Sequence, residues 1–157
     1  TDKQGGMHLR RGTAGKLNNM IVAYFSSFPV DVDGASTAGQ WGTGLTIANT
    51  YFMKTAAGEL FPANFDVVAG KENDCDAAGA NCFNEATIIG GGASNHMGVD
   101  PMLTAPKDLA APNFKPMTGS PVLTGCGTPP AGFDQSATFC GAVGATDWTA
   151  GWTRFPQ

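Results

Sequence analysis

Hydrophobic and polar positions alternate in short runs along the first third of the chain. In "PVDVDG", Val30 and Val32 fall on one face and Asp31 and Asp33 on the other. A period of two marks a strand with one buried and one solvated face. "MHLRRG", "KLNNMIVAYF", "FPVDVDG" and "GLTIANTYFMK" are all strand-length, rich in β-branched and aromatic residues and bounded by Gly, Ser or Asp. Two of these runs align at an offset of 30 residues. Leu17 matches Ile47, Asn19 matches Asn49, Ile21 matches Tyr51 and Val22 matches Phe52. A repeat of that period suggests a solenoid of stacked coils. Asn at one fixed turn position tolerates left-handed backbone, and stacked Asn side chains would bond from coil to coil.

Beyond residue 55 the pattern loosens. "TAAGELFPANFDVV" begins like a short helical turn, "AGKENDCDAAGANC" is a polar loop, and "ATIIGGGASNHMGVDPM" reads as a short strand followed by a Gly-rich loop. Seven of the ten prolines lie between residues 100 and 130. Proline lacks an N–H and is poor in a central strand, so this stretch predicts an extended outer wrap. Its apolar anchors would be Met102, Leu103, Leu109, Phe114, Met117, Val122 and Leu123. The last segment, "ATFCGAVGATDWTAGWTRF", returns to strand-like composition. The expected organisation is one domain over 1–157: coils over 1–55, a loop-rich part over 56–99, and a wrap with capping strands over 100–157.

Composition narrows the class. Charged residues are 14% of the 157, with 22 Gly and a net charge of −4, a profile suited to an extracellular β-rich protein with many tight turns. Basic residues are scattered, and Arg10–Arg11 is the only adjacent pair. Nucleic-acid binding needs a basic stripe to neutralise phosphates and is not expected. Apolar runs reach about six residues, far from the roughly 20 that span a bilayer, so no transmembrane segment is expected. Cys75, Cys82, Cys126 and Cys140 allow three pairings. The simplest is local, Cys75 with Cys82 and Cys126 with Cys140, each closing a Gly-containing loop. Zinc would want C-x2-C or nearby His spacing, and neither is present. Disulfides place the chain in an oxidising compartment: extracellular, cell surface or periplasm.

The stretch "GGMHLRRGTAGKLNNMIVAYFSSFPVDVDGASTA" resembles the late coils of a largely uncharacterised family of secreted or surface-attached bacterial proteins. "DPMLTAPKDLAAPNFKPMTGSPVLTG" is similar to the tail of such proteins, and "FDQSATFCGAVGATDWTAGWTRF" to their terminal segment. The resemblance implies an all-β fold, a right-handed parallel β-helix with a Pro-rich C-terminal wrap and an aromatic cap. It also implies that the chain is the C-terminal part of a longer solenoid. A β-sandwich is the alternative fold. Cys126 and Cys140 depart from that family's pattern, which favours a local, added disulfide. An open solenoid end exposes apolar core and unpaired backbone. Trp148, Trp152 and Phe155 are therefore expected to cap it, or alternatively to form an interaction platform for sugar rings.

Candidate chemistry is sparse. Asp31 and Asp33 share a strand face, about 6.5–7 Å apart. Such carboxylates suit calcium or glycoside hydrolysis, but an Asp-Gly turn on a solvated face needs neither. Asp74 and Asp76 sit in a loop that lacks the ordered ligands of a calcium-binding helix–loop–helix. Calcium is thus the only cofactor the carboxylates propose; otherwise none is expected, and no catalytic residue is assigned. "RRGTAGK" is not a phosphate-binding G-x4-G-K-[ST] loop. Arg10 and Arg11 are expected to be a strand's outward and inward pair, one of them bridging an Asp on a neighbouring coil. His8, His96, Met97 and Met102 are too dispersed to read as a copper site. The leading expectation is a non-enzymatic structural or interaction protein of the bacterial surface or extracellular space. It would act by self-association or by docking in a larger assembly. The alternative is a carbohydrate-binding or polysaccharide-cleaving protein that uses the face around Asp31, Asp33 and Arg10, with glycans as partners.

Overall fold

The computed structural model describes residues 5–54, 60, 83–92 and 94–153. Six short strands fill the first third: β1 (Met7–Arg10), β2 (Gly15–Asn18), β3 (Ile21–Phe25), β4 (Val30–Asp33), β5 (Leu45–Ala48) and β6 (Tyr51–Lys54). They pair in parallel, β1 with β4, β2 with β5 and β3 with β6. Leu17 lies opposite Ile47, Ile21 opposite Tyr51 and Val22 opposite Phe52, the register of the 30-residue repeat. Alternation decides what is buried. Val22, Val30, Val32, Leu45, Ile47 and Phe52 form one apolar cluster, joined by Phe83 and Ile89.

Corners between strands need left-handed backbone. Asn19 has φ 54° and Asn49 φ 51°, and Arg11 (φ 59°) and Gly34 (φ 83°) occupy matching positions at another corner. A third copy of the Asn corner is hidden from the sequence because Ser94 (φ 61°) stands there. It leads into β7 (His96–Met97), which adds to β6 with Tyr51 opposite His96.

Growth by parallel pairing stops there, and this corrects the expected fold. Among the described residues the strands form four separate sheets, three of two strands and one of three. Among the described residues no sheet continues as a solenoid, so the expected right-handed parallel β-helix is not shown, and the short separate sheets do not form the alternative β-sandwich either. The reason lies at the sheet edges. The buried Glu85 carboxylate accepts the N–H of Val32 on β4 at 2.9 Å. The Asn95 amide donates to the carbonyl of Ile47 on β5 at 3.1 Å and accepts the N–H of Thr50 at 3.0 Å. Side chains thus occupy edge groups that a further strand would need.

Three other expectations are corrected. "ATII" is not a strand. Residues Glu85–Ile88 form a single-turn helix, α2, because Asn84 caps it by accepting the Thr87 N–H. A similar turn, α1 (Ala35–Ala38), follows Gly34. The Pro-rich stretch contains an antiparallel hairpin, β8 (Leu103–Ala105) with β9 (Asn113–Pro116), and a 3-10 turn at Pro121–Leu123. Val122 anchors it, fully buried, while Leu109 is 91% exposed. The terminal segment forms no strand through residue 153. Asp147 accepts the N–H and hydroxyl of Thr149, opening a turn that Gly151 (φ 91°) ends. Among the described residues no helix is long and apolar enough to cross a membrane.

Candidate functional site

The charged face of β1 and β4 follows from their register. His8 lies opposite Asp31 and Arg10 opposite Asp33, so an imidazole, a guanidinium and two carboxylates share one face. His8 Nε2 is 3.4 Å from Asp31 and 3.2 Å from Asp33, and Arg10 Nε is 3.6 Å from Asp33. Arg10 is therefore the arginine that meets an Asp on a neighbouring strand. Asp33 is buried, and its carboxylate is directed to these two side chains. Among the described residues no group of three or more His, Cys, Asp or Glu is arranged to hold a metal. Asp74 and Asp76, with the expected Cys75–Cys82 pair, lie outside the described residues.

The Cys126–Cys140 disulfide is present, with Cα atoms 5.6 Å apart. It closes a loop whose base is also tied to the first Asn corner. Asn19 donates to the Gly127 carbonyl at 2.7 Å and accepts the Gly127 N–H at 3.1 Å. The Gly141 N–H donates to the carbonyl of Asn19. Asn19 therefore bonds to the loop, where a coil-to-coil Asn ladder had been expected. The bonds themselves explain the choice, since Gly127 brings both a donor and an acceptor against the amide.

Trp148 and Trp152 are 53% and 67% exposed, whereas burial against an open end was expected. Their placement is nonetheless defined. Trp148 Nε1 donates to the Ala142 carbonyl at 2.6 Å, and Trp152 Nε1 to the Trp148 carbonyl at 2.7 Å. The turn opened by Asp147 puts residues four apart on one side, so the rings lie 5.4 Å apart at 34°. The Thr149 hydroxyl and N–H hold the Asp147 carboxyl below its ordinary value. Phe155 lies outside the described residues.

An apolar groove of about 300 Å³ is lined by Ile21, Tyr24, Phe25, Leu103, Phe114 and Val143, and also by Thr149 and by Ala142, whose carbonyl Trp148 Nε1 bonds. Tyr24 forms a fixed wall. Its hydroxyl donates to Asp100 at 3.3 Å, and Lys107 lies 5.5 Å from its ring centre. Burial, then the Asp100 carboxylate, pushes the Tyr24 hydroxyl's pKa up.

Several supporting residues had no sequence signal. Glu85 and Asn95 act on backbone groups 53 and 48 residues away. His96 stacks on Tyr51 with ring centres 4.1 Å apart, and its Nε2 lies 3.1 Å from the Gly125 carbonyl. Tyr51 is buried and donates to the Pro121 carbonyl, and desolvation pushes its pKa up. These contacts fasten the C-terminal wrap to β6 and β7.

Comparison of the chain with protein-family models, curated proteins and solved structures finds no match.

Proposed function

We propose that this chain is a non-enzymatic interaction protein of the extracellular space or bacterial cell surface, working by assembly, and that its first partner is a second copy of itself. The observation that carries this reading is the fixed, exposed Trp148–Trp152 pair beside an apolar groove on the same part of the surface. A projection next to a recess is self-complementary. A two-fold axis between them would place each copy's tryptophans in the other copy's groove. Tryptophan is also the residue most enriched where binding energy concentrates. The disulfide supports an oxidising location. The charged cluster has structural work of its own, since His8 and Arg10 both engage Asp33.

Light scattering over a concentration series tests this reading. The wild-type chain is expected to exceed its 16.1 kDa chain mass as concentration rises, and Trp148→Ser with Trp152→Ser is expected to hold it at that mass. A wild-type particle that stays at the chain mass into the millimolar range, or association unchanged in the double variant, would overturn it.

A further inference from the structure

A second groove is lined by the disulfide loop and adjoins the apolar one at Gly141, but its chemistry differs. Its volume is about 270 Å³, near the lower end of small-ligand sites at roughly 300–1,000 Å³. Strand β2 supplies one side. Lys16 and Asn18 stand two residues apart, so both point away from the core that Leu17 joins. The disulfide loop supplies the other side, with Pro129, Pro130, Phe133 and Asp134.

Phe133 is 69% exposed and contributes a flat apolar surface. Asp134 is held ionised by the Ser136 hydroxyl and N–H, which pull its pKa down. Among the described residues neither the Lys16 ammonium nor the Asn18 amide is engaged by another side chain. The groove is set in advance. Asn19 clamps Gly127 by two hydrogen bonds and the disulfide joins the loop's ends, so little ordering cost is left for binding.

We infer that this groove is a binding site for a neutral saccharide. A pyranose ring has one face of C–H groups and a rim of hydroxyls. Phe133 and the two prolines match the face. Asp134 accepts from hydroxyls, Lys16 donates to them and Asn18 does both. One cation and one anion together favour an uncharged ligand over an acidic or basic one. The two grooves meet at Gly141 but share none of the side chains assigned to saccharide binding, so the Phe133 and tryptophan variants test them separately.

The test is calorimetric titration with neutral hexasaccharides (cellohexaose, chitohexaose, maltohexaose and mannohexaose) and with acidic oligogalacturonate. At least one neutral probe is expected to bind, with Phe133→Ala weakening it at least tenfold and Lys16→Met or Asn18→Ala severalfold. Because Phe133 is exposed, its variant should keep the wild-type melting temperature, which separates lost binding from lost folding. The Trp148→Ser, Trp152→Ser variant should bind the saccharide as wild type does. No binding to any neutral probe, equal affinity in Phe133→Ala, or binding of oligogalacturonate alone would overturn the inference.

Discussion

The two ends of this molecule use large apolar residues in opposite ways. Between residues 7 and 54, Val30, Val32, Leu45 and Phe52 are fully buried, and parallel strand register holds the chain. Between residues 100 and 153, Leu109, Phe114, Met117, Phe133, Trp148 and Trp152 are exposed. There the chain is held by a disulfide and by side chains bonded to backbone carbonyls. A region ordered by backbone and covalent ties can keep its aromatic surfaces outward, because those surfaces are not what makes it fold. Such surfaces are where partners and ligands bind.

The largest expected effect breaks this contrast directly. Phe52→Ala should cost about 3–5 kcal/mol, the usual result of emptying a buried aromatic site. Trp152→Ala should stay within about 0.5 kcal/mol, as surface substitutions do. Urea unfolding of both variants decides the matter. Equal losses would mean that the tryptophan is part of the core after all.

Glu85 sharpens the comparison from the other side. Glu85→Ala removes the acceptor from a buried Val32 N–H and should destabilise by about 1–3 kcal/mol. Glu85→Gln keeps an acceptor oxygen and should recover part of that loss. Chemical denaturation of the pair measures it, and an alanine variant as stable as wild type would remove Glu85 from its edge-sealing role.

The smallest effect is confined to the aromatic turn. The folded Asp147 pKa lies below its unfolded value because Thr149 bonds the ionised carboxylate. Its contribution is therefore present above the unfolded pKa of about 3.9 and is lost as pH falls through the folded value. Tryptophan emission should change in that acid window, and Asp147→Asn should abolish the change while global unfolding by circular dichroism keeps its midpoint. An identical acid titration in the variant would assign the change elsewhere.

Legibility in the sequence followed the same divide. The Val30/Val32 alternation and the Asn19/Asn49 offset were readable because strand period and left-handed corners are local properties. The third corner was not readable, since Ser94 replaces the Asn. Where parallel pairing stops was not readable either. It depends on Glu85 and Asn95 reaching backbone atoms far away in sequence, and no periodic pattern encodes that. "ATII" misled because β-branched residues suggest a strand, whereas the Asn84 cap starts a helix. Residue size alone leaves a buried cap and an exposed platform both open for the tryptophans, and Asp147, Gly151 and two indole N–H bonds, which hold Trp148 and Trp152 outward, are local contacts that size does not encode. The saccharide groove brings Lys16 and Asn18 to Phe133 and Asp134 across more than a hundred residues, so the fold had to assemble it.

Acrylamide quenching of tryptophan fluorescence across a concentration series tests the central claim most directly. In dilute solution the exposed Trp148 and Trp152 should be quenched readily. As concentration rises, quenching should fall in step with mass by light scattering, because docking covers both rings. Quenching that stays constant while the particle grows would place the contact elsewhere and contradict the account.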